Sequence, residues 1–214
     1  MHLGVITGDI IDSSKILEGG YRDKLLSTMY LAIQEIEEKK SWGKVKIEVF
    51  RGDSFQIAVD EPTFITDIAI AFRSKLIANS GSDTRWDARL GLGIGEEGYL
   101  SGKISESDGE AFHLSGQAFD SLQKNDRLAI LTPQTNINEE LWVSTSFVDE
   151  IISNWTLLQA ATFYTYITEN LSQKEIAQKE KKSPQAISKI FLAGKFNLID
   201  NYLTRFHQIA GHLK

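Results

Sequence analysis

The stretch Val45-Lys46-Ile47-Glu48-Val49-Phe50, then Arg51-Gly52-Asp53-Ser54, then Phe55-Gln56-Ile57-Ala58-Val59 largely alternates apolar and polar side chains on both sides of a short polar centre. Alternation marks a strand with one buried face, and Gly beside Asp permits a tight turn, so these residues predict an antiparallel hairpin. Upstream, His2-Leu3-Gly4-Val5-Ile6-Thr7 is a short apolar strand that ends in Gly8-Asp9. Tyr21 to Lys40 then carries Leu25, Met29, Ile33 and Ile36 at helical spacing. Downstream, Pro62 is expected to open a helix through Ala78, since a first-turn proline lacks only an N–H that the helix does not use. Arg85 to Gly95 reads as a strand, Gly109 to Lys124 as a helix, and Leu128 to Leu131 as a strand stopped at Pro133. From Ile137 onward the pattern is helical.

The order strand, helix, hairpin, helix, strand, helix, strand is a split βαβ plan. A hairpin in mid-sheet excludes a doubly wound parallel sheet, so the expected class is α+β, a ferredoxin-like or palm-type domain over residues 1–133. Connecting helices are expected over 134–170 and a separate all-α unit over 171–214. With 214 residues, 42% hydrophobic and 24% charged, the composition is globular and excludes disordered and fibrous classes. No apolar run is long enough for a membrane span, and the absence of Cys removes disulfides, thiolate zinc sites and thiol nucleophiles. The start MHLGVITGD reads as a strand and carries no basic flank, so a cytoplasmic protein without membrane contact is expected.

Charge divides the chain. Residues 1–164 carry 15 basic and 25 acidic side chains, whereas 165–214 carry 8 and 4, giving −10 and +4. An acidic body repels a polyanion and a basic tail attracts one, so nucleic-acid contact belongs to the C-terminal quarter.

Asp9 ends the first strand and Asp53 sits in the hairpin turn. In a palm-type sheet those elements are neighbours, so the two carboxylates can meet and hold a hard divalent ion that keeps positions for water and phosphate oxygens. Ile10, Ile11, Ser13 and Ser14 lie at the following strand-to-helix junction, where backbone N–H groups can receive phosphate. The bland alternative is that Asp9 caps a helix and Asp53 makes a turn, both ordinary uses of Asp. Gly91, Gly93 and Gly95 alternate within a strand and read as sites of close backbone packing. Trp42, Trp86, Trp142 and Trp155 share no spacing and read as core or interface residues.

Ile6-Thr7-Gly8-Asp9-Ile10-Ile11-Asp12-Ser13-Ser14, Arg51-Gly52-Asp53-Ser54-Phe55 and Ala88-Arg89-Leu90-Gly91-Leu92-Gly93-Ile94-Gly95-Glu96 resemble three successive blocks of the class III nucleotidyl cyclase domain. The chain also resembles the SatD family of bacterial proteins, which shares the opening Thr-Gly-Asp-Ile, the Gly-Asp hairpin and a C-terminal helical segment. The cyclase resemblance implies Asp9 and Asp53 as aspartates for Mg²⁺ or Mn²⁺, residues 10–14 as a phosphate cradle, and a nucleotide ligand. It also shows departures: Asp12 replaces a small residue, Val49 replaces a purine-reading Lys, and His113 and Gln117 stand where the cyclases have Asn and Arg. Phosphoryl transfer depends on positioned charge, and a transition-state arginine contributes on the order of 10³-fold. A degenerate site with little turnover is therefore expected.

In the tail, Ser172-Gln173-Lys174-Glu175 is a capping box, and Ser183-Pro184 is a second helix start with proline at its first position. Ile176 and Ala177 on one short helix, and Ala186, Ile187 and Ile190 on the next, mark facing apolar sides, the pattern of a helix-turn-helix. The segment resembles bacterial DNA-binding units. Gln185, Ser188 and Lys189 fall on the outer face of the second helix, with Lys174, Lys181 and Lys182 placed for phosphates. Duplex DNA is the expected partner and a homodimer the expected assembly. A plain helical hairpin packed on the body is the alternative, and an active metal-dependent nucleotide enzyme or a purely structural protein are the competing functions.

Overall fold

The computed structural model describes residues 2–39, 41–50, 53–81, 83–96, 98 and 102–213. Strand β1 (His2–Ile10) leads through a short helix α1 (Ser13–Glu18) to α2 (Arg22–Glu37), and β2 (Val45–Phe50) and β3 (Ser54–Val59) form the expected hairpin. Phe50 pairs with Ser54, so the hairpin closes tightly; its turn residues Arg51 and Gly52 lie outside the described residues. Helix α3 (Ile65–Ala78), β4 (Ala88–Glu96), α4 (Glu110–Ser121) and β5 (Leu128–Leu131) complete the sheet domain. The strand order is β2-β3-β1-β4-β5, antiparallel except for the β4–β5 pair. Its first four strands have the order and directions of a ferredoxin-like βαββαβ unit.

Alternation assigns the two faces. On β1, Ile6 and Ile10 turn toward α2 and α3, where Leu25, Met29, Ile33 and Ile36 of α2 are buried as their spacing predicts. Leu3 and Val5 turn to the opposite face and pack on Ala111 of α4. Helix α4 lies on that face because β4 presents Gly91, Gly93 and Gly95 beneath it. A Cβ at Gly93 would stand 2.3 Å from the Ala111 carbonyl oxygen and the Ser115 nitrogen, and one at Gly91 would stand 2.2 Å from the Phe119 nitrogen. The alternating glycines thus serve close backbone packing.

One expectation is corrected. Pro62 opens a 3₁₀ turn over Pro62–Phe64 before α3 begins, because the Phe64 N–H bonds the Glu61 carbonyl three residues back. The last helix shares the body's core, while the two helices before it bury a smaller cluster of their own. After α5 (Thr135–Ser153) and α6 (Leu157–Glu169) come α7 (Gln173–Lys179), α8 (Pro184–Ala193) and α9 (Phe196–Gly211). Ile199, Leu203, Phe206 and Ile209 of α9 belong to the same buried cluster as Ile68 and Phe72 of α3, whereas Ile176, Ala177 and Ile187 of α7 and α8 form a separate one. Trp42, Trp86 and Trp155 are core residues, whereas Trp142 is 74% exposed on α5.

A buried ionic cluster fastens α5 to the sheet domain. Arg73 of α3, fully buried, donates from Nε and Nη2 to the two oxygens of Asp87, at 2.8 and 2.9 Å, and from Nη1 to Asp149 Oδ1 of α5 at 2.7 Å. Asp149 Oδ2 also accepts the N–H groups of Arg127 and Leu128 at the start of β5. Burial opposes charge on Arg73, but the two carboxylates outweigh it and hold the guanidinium pKa above its ordinary value.

Candidate functional site

The edge of α4 leaves part of its sheet face open, forming a groove of about 320 Å³ lined by Thr7, Asp9, Phe50, Ser54, Gln56 and Phe119. Asp9 sits opposite Ser54 on one side and Arg89 on the other. The Ile10 N–H donates to the Asp53 carbonyl at 3.1 Å, which ties the end of β1 to the hairpin turn. Both aspartates therefore lie at one end of the sheet. Burial pushes the Asp9 carboxyl above the ordinary carboxylate range, Arg89 pulls it back, and the charge of Asp53 pushes it up again. The two carboxylates thus feel each other.

The donor set suits a hard cation. Asp9 Oδ1 is buried and has no hydrogen-bond partner among the described residues, so its lone pairs are unmet by protein. Asp53 Oδ2 accepts a 2.8 Å bond from Ser13 Oγ, which orients that carboxylate from the first turn of α1. Among the described residues, no group of three or more Asp, Glu or His side chains has the arrangement of a metal site, so two carboxylates are what this end of the sheet offers. Mg²⁺ sites of one or two carboxylates completed by water and phosphate oxygens are ordinary.

The expected phosphate cradle is reduced. The Ile10 and Ile11 N–H groups are already bonded, to the carbonyls of Asp53 and Asp87 at 3.1 and 3.0 Å, because β1 runs through Ile10 and its end is tied to two neighbouring loops. Ser13 and Ser14 begin α1, which has only 6 residues, and the Ser13 hydroxyl is held by Asp53. Asp12 precedes them in a left-handed conformation with φ 53°, and its carboxylate meets Lys15 Nζ at 3.0 Å. The acidic residue that departs from the cyclase pattern is thereby partly neutralised by its own helix.

Arg89 escaped the sequence reading. Its Nη1 lies 3.9 Å from Asp9 Oδ2, and its guanidinium carbon stands 5.0 Å from the centre of the Phe119 ring. Nothing marks it in isolation, since an Arg on an alternating strand reads as a solvated residue. Thr7, Gln56 and Ser115 form a second unforeseen feature: Gln56 Nε2 donates to Thr7 Oγ1 at 3.3 Å, and Thr7 and Ser115 hydroxyls bond at 2.9 Å. His113 is exposed and 3.1 Å from Asp108, and Gln117 is exposed; neither lines the groove.

The second candidate surface is the α7–α8 unit. Ser172 and Glu175 form the reciprocal capping box, with Ser172 N–H donating to Glu175 Oε2 at 2.8 Å and Glu175 N–H to Ser172 Oγ at 3.4 Å. Ser183 Oγ accepts the Ala186 N–H at 3.2 Å and starts α8 with Pro184 at its first position. Ile176, Ala177 and Ile187 bury one another, with Tyr166, Leu171, Ile190 and Phe191 packed around them. Gln185, Ser188 and Lys189 are exposed on α8, as are Lys174 and Lys181 nearby. Lys182 differs: it is half-buried and its ammonium is bound to Glu180, which reduces its reach to an outside phosphate. Leu192, 79% exposed, extends the Gln185–Ser188–Lys189 stripe by one turn.

No family model matches the sequence, and no curated protein matches it. Solved structures do. The active GGEEF domain of a diguanylate cyclase from Vibrio cholerae aligns with TM-score 0.45 and 15% identity, over 63% of this chain and 85% of that one. A bacterial light-regulated adenylyl cyclase aligns with TM-score 0.42 and 16% identity, over 60% of this chain and 74% of that one. Among the described residues, no helix is long and apolar enough to cross a membrane.

Proposed function

We propose that this protein is a DNA-binding regulator in which the α7–α8 unit meets duplex DNA and the sheet groove binds a nucleotide with little turnover, a plan that resembles the SatD family. The observation that carries the reading is the α8 face. Gln185, Ser188, Lys189 and Leu192 form an exposed stripe on a capped helix whose opposite side is buried. Gln can pair with an adenine edge, Lys with guanine or phosphate, and an apolar tip with a thymine methyl. Lys174 on α7 and Lys181 in the turn after it are exposed, as phosphate-contacting lysines must be. One such unit makes few contacts, and a homodimer on two half-sites supplies the rest.

A salt titration on genomic duplex fragments tests this. Retention is expected at low salt and should fall linearly on a log–log plot, since each neutralised phosphate releases counterions with a slope of about −0.9 per contact. A Lys181→Glu, Lys189→Glu variant is expected to lose on the order of tenfold or more and to show a shallower slope. No retention at low salt, or identical titrations, would return α7–α8 to a helical hairpin.

The groove favours a second reading, a metal-dependent nucleotide enzyme, because Asp9 and Asp53 lie at one end of the sheet, with Arg89 3.9 Å from Asp9. Asp9 and Asp53 would hold Mg²⁺ or Mn²⁺, and the ion would supply charge to phosphate oxygens. Arg89 would orient a phosphate and Phe119 would shield the contact from water. The chain lacks a cation at Gln117, so cyclase turnover is expected to be slow or absent even with nucleotide bound. Incubation with each nucleoside triphosphate and Mn²⁺, followed by chromatography, measures it. Rapid cyclic-nucleotide formation that Asp53→Asn abolishes would establish the enzyme reading instead.

A further inference from the structure

Away from the sheet groove, a cavity of about 440 Å³ opens where the residues after α2, the Pro62 turn, α6 and α9 meet. That volume is in the range of small-ligand sites. Its walls combine aromatic rings with carboxylates. Trp42 and Phe64 stack with centroids 6.4 Å apart and planes at 19°, and Phe64 meets His207 edge-on at 5.2 Å. Tyr166 donates from its hydroxyl to Asp200 Oδ2 at 2.8 Å. Asp67 Oδ2 lies 2.7 Å from His207 Nε2.

We propose that this cavity binds a small organic cation, a primary or quaternary ammonium compound, held between Asp67, Asp200 and the rings of Trp42, Phe64 and Tyr166. Aromatic faces attract ammonium groups through their quadrupoles, and the attraction grows as water is excluded. The two carboxylates come from different elements, Asp67 from α3 and Asp200 from α9. Burial raises the Asp200 pKa, the Tyr166 hydrogen bond lowers it, and the charge of Asp67 raises it again, so the two acids repel across the cavity. A cation between them removes that repulsion, whereas an anion adds to it and a neutral apolar molecule leaves it in place. Of the basic groups on the wall, His207 pairs with Asp67, whereas Lys39 feels the charge of Glu169. Asp200, bonded by the neutral Tyr166 hydroxyl, is the carboxylate that a bound cation would meet. A bound cation bridges the sheet domain and the C-terminal helix, so it should stabilise their union. The reading is independent of DNA and of the sheet groove.

The full chain is titrated with choline, with putrescine, and with dimethylbutanol, the uncharged carbon isostere of choline. Tryptophan fluorescence reports contact with Trp42, and thermal melting reports stabilisation by mass action. Saturable quenching and a raised melting temperature are expected with at least one ammonium probe at millimolar concentration, and neither with dimethylbutanol. Trp42→Phe should remove the optical change and leave the melting shift. Asp200→Asn keeps an acceptor for Tyr166 but removes charge, and should weaken binding about tenfold or more. A saturable response to dimethylbutanol as strong as that to the ammonium probes, no saturation with either ammonium probe, or unchanged affinity in a folded Asp200→Asn protein would overturn the proposal. The isostere comparison needs no variant, so the test holds even where a substitution perturbs folding.

Discussion

Replacement of Arg73 by methionine is expected to destabilise the protein by about 3–5 kcal/mol, because it leaves buried carboxylates without their cation. Asp87 and Asp149 are both buried, and Arg73 supplies each with a direct ion pair at 2.8 and 2.7 Å. Arg127 reaches Asp87 only at 3.5 Å and from the solvent side. The thermal midpoint should fall by roughly 6–20 °C, taking 2–4 °C per kcal/mol for a chain of this size. The same substitution combined with Asp87→Asn and Asp149→Asn should recover part of the loss, since neutral amides no longer carry stranded charge while still accepting the N–H bonds of Ala88, Arg127 and Leu128. Denaturant melts of the three proteins decide it. A loss below about 1 kcal/mol in Arg73→Met would mean that water relieves the carboxylates, contrary to their burial.

That cluster shows where local pattern stops informing. Arg73 lies within an apolar helical run, where a lone Arg reads as the solvated side of the helix. It is buried because α3 is covered on one side by the sheet and on another by α6 and α9, a matter of long-range packing. Its partners are 14 and 76 positions away, beyond any motif. By contrast, the hairpin was legible because strand alternation and a turn residue are local requirements. The buried face of α2 was legible for the same reason. Helix α1, at 6 residues, is too short to display a period.

The candidate site divides along the same line. Asp9 and Asp53 could be nominated because a strand end and a hairpin turn have fixed places in a split βαβ sheet. The α7–α8 unit could be nominated because its caps are written within four-residue windows. Arg89, Thr7, Gln56 and Ser115 could not, since their roles arise only from cross-strand register and from a helix 108 positions from Thr7. The phosphate cradle was overestimated because the free N–H groups expected at a strand end depend on whether neighbouring loops claim them, and here two loops do.

Glycines in and beneath α4 give the other large effect, with opposite signs at two positions. Gly93→Val is expected to destabilise the protein by roughly 3 kcal/mol or more, at the upper end of overpacking costs, because the new Cβ meets backbone atoms that cannot rotate aside. Helix α4 would have to lift from the sheet, which also separates Ser115 from Thr7 and moves the Phe119 wall of the groove. Gly116 is on the same helix, and a Cβ there meets nothing within 4 Å. Gly116→Ala should therefore stabilise by about 0.5–1 kcal/mol, through the lower conformational entropy of the unfolded chain and better helix propensity. Urea melts of both variants read the difference, which should exceed about 3 kcal/mol. Nucleotide binding measured on the same samples adds a functional arm: Gly116→Ala should leave it unchanged, and Gly93→Val should weaken it even at temperatures where the variant remains folded. Equal stability of the two variants would mean that α4 does not rest on the glycine stripe, and the groove would then lose the wall that gives it its shape.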